Sequence, residues 1–409
     1  MLLRFAVENF ASFRDRTELT FDSTARKDEP THRIPSRHAR HGVLPVLGLW
    51  GANAAGKSNI IGALTCARDL IAQSFASGQP DGTAPWAPWL MRTDAGAPPT
   101  TFELDTLVGG DVLFEYGFRQ DHRGFVKEWL FRRQGARRQA VFLRDREAEQ
   151  PWYFGPSWRG QRQPIVDATR TNALFLSAAA QFNHAELLPA FQAMTTGIRA
   201  EREIRLQGLP LFAPNSPQLT VSGRKNFARI LAQADTGIVA VDLQPDDGQR
   251  RGQKVPLIMH HRVGAGETWL APPELESRGT HIFAARLYDF VEALSTGTFL
   301  IADELETSLH PDLCTELIRM FTSPSTNPHG AQLLFTTHNR DLLTGLRTDE
   351  VALVDKHHDG HSTLRYASDY KGVRTRDDLR RAHELGQLRG VPVLGDLQEV
   401  MQGVVADAR

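Results

Sequence analysis

Gly51-Ala52-Asn53-Ala54-Ala55-Gly56-Lys57-Ser58 decides the fold, because it fits the G-x-x-x-x-G-K-[ST] spacing of a phosphate-binding loop. The apolar run Val46–Trp50 before it reads as a buried strand, and the pattern from about Ser58 to Phe75 after it reads as a helix. Strand, loop and helix in that order are what the motif requires. Its glycines permit a tight loop whose N–H groups point at phosphate oxygens, and the helix adds the positive end of its dipole. Gly51, Asn53, Ala54, Ala55, Gly56, Lys57 and Ser58 are therefore the expected nucleotide-binding set. Within it, Lys57 is expected to neutralise β- and γ-phosphate charge. Ser58 is expected to offer its hydroxyl to Mg²⁺, a hard cation that takes oxygen ligands.

Working outward, Phe299-Leu300-Ile301-Ala302-Asp303-Glu304 puts two carboxylates at the end of an apolar strand, where strands of an open α/β sheet meet a ligand crevice. Asp303 is expected in the Mg²⁺ shell, and Glu304 as the general base that polarises the attacking water. His338 ends the next apolar run, Leu334-Phe335-Thr336-Thr337, so it is expected at the same sheet edge. An imidazole there can bond the γ-phosphate or orient water. Ser277-Arg278-Gly279-Thr280 precedes a helical pattern through Ile282, Phe283, Leu287, Phe290, Val291 and Leu294. It reads either as an ordinary helix cap or as a second glycine-bearing helix N-terminus suited to an anion, and one chain needs only one phosphate loop. Ser277, Gly279 and Thr280 are therefore expected to close over the γ-phosphate held by another copy.

Around these motifs, residues 1–23 alternate in the manner of paired antiparallel strands, and strand patterns return at Thr101–Leu107, Val112–Arg119 and Phe125–Arg132. Helical patterns dominate from Asn183 to about Asp235, without the sustained heptads of a coiled coil. From Thr280 onward helix and strand alternate, the arrangement of a parallel sheet wrapped by helices.

Composition excludes several classes. With 409 residues, 41% hydrophobic and 23% charged, the chain is ordinary globular material. Its apolar runs are much shorter than the ~20 residues of a membrane-spanning helix, and Met1–Phe10 lacks the apolar core of a signal peptide. The expected location is the cytoplasm, with no membrane partner. Cys66 and Cys314 are too few for a disulfide framework or a zinc site. The histidine pairs His260-His261 and His357-His358 lack metal-ligand spacing and read as surface residues. A net charge of -1 gives no global field for nucleic acid. A local patch is left to two stretches: Arg132, Arg133, Arg137, Arg138, Arg144, Arg146, Arg159 and Arg162, and then Arg374, Arg376, Arg380 and Arg381.

Taken together, the order phosphate loop, S-x-G-T, apolar-Asp-Glu and Thr-Thr-His resembles the heads of ABC and SMC-type ATPases, which dimerise around two ATP molecules. Glu304-Leu305-Glu306-Thr307-Ser308-Leu309-His310-Pro311, Asn9-Phe10-Ala11-Ser12-Phe13 and Gly386-Gln387-Leu388-Arg389-Gly390-Val391-Pro392 narrow the resemblance. They are similar to bacterial ATP-binding proteins of abortive-infection and phage-defence systems, including OLD-like ATPases and the ATPase partners of PARIS-type systems. The resemblance implies an α/β fold: an ABC-type ATPase head with a mainly parallel sheet core, an N-terminal β-rich lobe and a helical insertion. The expected divisions are an N-terminal lobe over 1–180, a helical insertion over 181–271, a C-terminal lobe over 272–370 and a helical tail over 371–409. The implied function is that of an ATPase subunit, with ATP and Mg²⁺ as cofactors and a second copy of the chain as partner. ATP-dependent dimer closure would sense infection or hold and release a separate effector such as a Toprim-type nuclease, since only about seventy residues follow His338, too few for such a domain. The alternative is an SMC-like DNA-binding ATPase of repair or maintenance.

Overall fold

Every residue of Val46–Trp50 is buried, as expected of a strand covered on both faces. The computed structural model describes residues 1–24, 33–79, 82–83, 85–91, 98–201, 211–212, 221–234, 237–243, 255–264, 267–271, 276–373, 379–385, 387–388 and 401. In chain order these form β1 (Leu2–Glu8), β2 (Thr17–Thr20), β3 (Val46–Trp50), α1 (Lys57–Gln73), β4 (Thr100–Val108), β5 (Val112–Asp121), β6 (Gly124–Gln134), β7 (Arg137–Asp145) and β8 (Trp152–Phe154). They continue as α2 (Gln163–Ala168), α3 (Phe175–Gln181), α4 (Leu188–Met194), β9 (Ile198–Ala200), β10 (Leu211–Phe212), α5 (Val221–Gln233), β11 (Ile238–Leu243), β12 (Val255–Val263) and β13 (Glu267–Ala271). The last are α6 (Arg278–Thr296), β14 (Phe299–Ala302), α7 (Pro311–Thr322), β15 (Gln332–Thr337), β16 (Val351–Lys356), β17 (Ser362–Tyr366) and α8 (Leu379–Glu384).

The nucleotide-type core is a six-stranded sheet in the order β17-β16-β3-β15-β14-β9. All its pairings are parallel except β16 with β17. Alternate residues of its strands serve opposite cores, because successive side chains of a strand point to opposite faces. Leu47, Leu49, Ile301 and Leu334 join the core shared with α1 and the N-terminal sheet, whereas Val46, Leu300, Leu333 and Phe335 join the one beneath α6 and α7. Gly48 is needed in β3 because a Cβ there would meet the Phe335 ring of the neighbouring strand at 2.8 Å. The N-terminal lobe is a seven-stranded sheet, β2-β1-β4-β5-β6-β7-β8, antiparallel throughout. The α/β class, the mainly parallel core and the β-rich lobe are therefore as the motifs imply.

The helical insertion over 181–271 needs correction. It holds α4 and α5, but β10, β11, β12 and β13 form an antiparallel sheet there. Its β9 is the edge strand of the parallel core, beside β14. A strand of three residues carries no readable periodicity, and its place is set by pairing with a partner distant in sequence. Of the expected helical tail over 371–409, α8 lies among the described residues; most of Gly386–Pro392 lies outside them.

Glu350, at the foot of β16, is buried, and its Oε2 accepts the Arg347 N–H at 2.9 Å. Burial pushes its carboxyl up from 4.5 to about 7. The folded state thus holds this proton more tightly than the unfolded one. The associated stability is complete below 4.5 and is lost as pH rises through about 7. Glu350→Gln keeps the acceptor for Arg347 and should flatten the fall of melting temperature across that window. A slope equal to that of the unmodified protein would remove Glu350 from this role.

Candidate functional site

The loop Gly51–Gly56 runs from the end of β3 to the start of α1. Ala54 has φ 60 and Gly56 has φ 114. A Cβ on Gly51 would stand 2.4 Å from the Val354 carbonyl oxygen, and one on Gly56 would stand 2.5 Å from Ser362 Oγ and 2.8 Å from Ser12 Oγ. The backbone is thus pressed against β16 and β17 from behind while Asn53, Ala54 and Ser58 face solvent. Ser362 Oγ donates to the Ala55 carbonyl at 2.6 Å, shares a 2.8 Å bond with Ser12 Oγ, and Asn59 Nδ2 donates to Ser12 Oγ at 2.8 Å. Ser12 belongs to the Asn9–Phe13 turn, closed by the Phe10 and Phe13 bridge, so that motif buttresses the loop.

Lys57 is 5% exposed. Its Nζ donates to the carbonyls of Gly51 at 2.9 Å and Ala52 at 3.0 Å, and lies 3.2 Å from His338 Nδ1. Burial lowers its pKa, against the opposing charges of Glu306, Asp303 and Glu304. A protonated Lys57 makes Nδ1 of His338 the acceptor, which leaves the imidazole proton on Nε2, free to donate.

Asp303 and Glu304 follow β14 and are exposed. Thr336 Oγ1 donates to Asp303 Oδ1 at 2.5 Å and accepts the Glu304 N–H at 2.7 Å, so one hydroxyl of β15 sets both residues. Glu304 has φ 49, a left-handed conformation, and its Oε2 accepts from Thr307 Oγ1 at 3.2 Å. His338 follows β15, and its N–H donates to Glu306 Oε1 at 2.5 Å. The fold therefore brings Lys57, Asp303, Glu304 and His338 to one edge of the parallel sheet. Glu306 and Thr336 belong to this constellation and were not singled out by sequence reasoning. Glu306 was legible only as the second acid of Glu304-Leu305-Glu306.

Ser277, Gly279 and Thr280 sit apart from it. Ser277 caps α6, its Oγ accepting the Thr280 N–H at 3.0 Å. Together with His261, Glu276, Ser308 and His310 they line a cavity of about 410 Å³ that none of the phosphate-loop residues enters. His261 and His260 are not idle surface groups. His261 Nε2 pairs with Glu276, next to Ser277, and His260 Nε2 lies 3.1 Å from Asp242 Oδ2. The His260 contact follows from the β11 and β12 pairing, which the sequence pattern did not reveal. His357 stacks on His361, with ring centroids 4.2 Å apart.

Four of the eight arginines of the first stretch face acids of the N-terminal sheet. Arg133 meets Glu115 at 2.7 Å, Arg138 pairs with the same carboxylate, Arg144 lies 3.7 Å from buried Glu128, and Arg146 meets Asp121 at 2.6 Å. In the second stretch Arg380 meets Asp341 at 3.0 Å, while Arg374 and Arg376 lie outside the described residues.

The donor set suits a nucleotide with a hard cation: a hydroxyl at Ser58, a carboxylate at Asp303, and a glycine cradle with no room for a Cβ. Among the described residues no group of three or more His, Cys, Asp or Glu could hold a metal, and no helix is long and apolar enough to cross a membrane.

The family profile described as "AAA domain, putative AbiEii toxin, Type IV TA system" matches residues 46–344. The SMC head domain from Thermotoga maritima is similar at 14% identity and a TM-score of 0.39, over 89% of this chain and 98% of that one. The recombination mediator protein RecF with ATP, of the RecFOR pathway, is similar at 12% identity and a TM-score of 0.32, over 89% and 99%. No curated protein matches the chain.

Proposed function

The chain belongs to the family described as "AAA domain, putative AbiEii toxin, Type IV TA system", and from that premise we propose that it binds and hydrolyses ATP as the motor subunit of an abortive-infection-type defence complex. The observation that carries this reading is the meeting of Lys57, His338, Asp303 and Glu304 at the mouth of a glycine cradle. Gly51, Asn53, Ala54, Ala55 and Gly56 would receive the phosphates on backbone N–H groups. Lys57 would leave the carbonyls of Gly51 and Ala52 for the β- and γ-phosphates. Ser58 and Asp303 would hold Mg²⁺, whose charge offsets that of the phosphates. Glu304 would take the proton of the attacking water, and His338, donating from Nε2, would bond a γ-phosphate oxygen.

The separation of the Ser277 cavity from the phosphate loop within one chain supports completion of each site by a second copy. ATP would then favour a closed dimer and hydrolysis its separation into monomers, and an effector on a separate polypeptide that prefers one state would be controlled by that equilibrium. The DNA-binding alternative would rest on Arg132, Arg137, Arg159 and Arg162, since Arg133, Arg138, Arg144 and Arg146 already face carboxylates.

Light scattering of Glu304→Gln with and without Mg-ATP tests this function. A doubling of mass only with ATP is expected. Unchanged monomeric mass with ATP bound would take Ser277, Gly279 and Thr280 out of the site.

A further inference from the structure

Arg286 lies on α6, the helix capped by Ser277, and its side chain is 5% exposed. Its guanidinium reaches the backbone of the hydrolytic turn. Nη2 donates to the carbonyl oxygens of Glu304 at 3.0 Å and Asp303 at 3.4 Å, and Nη1 donates to that of Leu305. On its other side, Nε stands 3.6 Å from Oε2 of Glu201. Glu201 follows β9, and its N–H donates to the Ile301 carbonyl at 2.8 Å, so it is fastened to the strand that leads into the turn. Burial pushes its carboxyl up to about 8, with Arg286 opposing and Asp289 and Asp303 reinforcing.

Glu304 has φ 49, and a residue with a side chain keeps a left-handed backbone only where its surroundings hold it there. On the outer side Thr336 holds the Glu304 N–H and the Asp303 carboxylate with its hydroxyl and accepts the Leu305 N–H on its carbonyl at 3.0 Å. On the inner side, three successive carbonyls share a single cation whose rigid planar fork presents several donors at once.

We propose that Arg286 is a positioning residue: it fixes the turn that aims the carboxylates of Asp303 and Glu304, and ties that turn to the helix whose first residues are Ser277 to Thr280. This deepens the reading of Glu304 as general base and rests on it. A displacement of α6, when its N-terminus meets a nucleotide on a second copy, would be passed through one side chain to the turn. Ligand capture and hydrolysis are thereby joined by a contact that touches neither substrate nor water.

Arg286→Lys retains the charge but replaces the planar fork with a single ammonium. Fluorescent-nucleotide titration should give an ATP affinity within about two-fold of the unmodified protein, while turnover at saturating ATP falls on the order of 10²-fold, the cost of a small misplacement of reacting groups. A role confined to holding the fold together would not produce this split between binding and turnover. Turnover within about three-fold of the unmodified protein, or a parallel loss of ATP binding, would overturn the proposal. Should Arg286→Lys fail to fold, Glu201→Ala carries the test, because it removes the group beside Nε whether that carboxyl is charged or protonated: turnover should fall at constant ATP affinity, and undiminished turnover would overturn it. Failure of the underlying reading is seen separately, as turnover that persists in Glu304→Gln.

Discussion

Glu304→Gln is expected to slow ATP hydrolysis by roughly 10²–10⁴-fold, the range removed with a positioned general base, while ATP stays bound. The substitution changes one atom and alters little else. Glu304 is exposed, its N–H is held by Thr336 Oγ1, and its carbonyl by Arg286. The glutamine carbonyl can still accept from Thr307 Oγ1, which now stands 3.2 Å from Oε2, but it cannot take a proton from water. Phosphate release under multiple-turnover conditions, paired with equilibrium nucleotide binding, is the measurement. Retained turnover would move the base to another residue; Glu306, whose Oε1 accepts the His338 N–H, would be the first examined.

Lys57→Ala should weaken ATP binding by roughly 10–100-fold, as expected for loss of a charge-assisted hydrogen bond worth about 1.5–3 kcal/mol. This ammonium is shared between Gly51 O, Ala52 O and His338 Nδ1. The loop carbonyls therefore hold the Lys57 ammonium at the loop itself. Removing it also frees two carbonyls and leaves His338 without its partner, so a thermal melt must accompany the titration. A folded Lys57→Ala protein with undiminished ATP affinity would take the phosphates away from this loop. Burial lowers the Lys57 pKa, so affinity should decline with rising alkalinity sooner than for an ordinary lysine.

The two substitutions separate binding from chemistry. Under the proposed function Lys57 would act on the bound phosphates in every state and Glu304 only as water attacks, so only the second substitution is expected to trap a closed dimer. The mass of Glu304→Gln in Mg-ATP is therefore informative only when Lys57→Ala, under the same conditions, remains monomeric.

How much of this was legible in the chain depended on how local each feature is. The phosphate loop is contiguous, its chemistry lies in glycines and a lysine at fixed spacing, and its flanking strand and helix announce themselves by apolar pattern. The same holds for Asp303 and Glu304 at a strand end, for Ser277 as the cap of α6, and for the α/β class, since each depends on neighbours in sequence. The insertion was misread where this condition failed: β9 owes its place to β14, and β12 has its partners on both sides only once the chain has folded.

By itself, then, the sequence determined the nucleotide loop, the order of its companion motifs and a parallel sheet to carry them. The tertiary structure alone decided which groups hold those motifs in working order. Lys57 meets His338 across 281 residues, Ser362 meets Ala55 across 307, and Asp303 meets Thr336 across 33. It likewise placed Arg286 under the hydrolytic turn and paired the arginines of the N-terminal sheet with Glu115, Glu128 and Asp121. Such contacts leave no periodic trace, because a hydrogen bond or ion pair constrains two distant positions by geometry, whereas a strand, loop or helix is written in the spacing of adjacent residues.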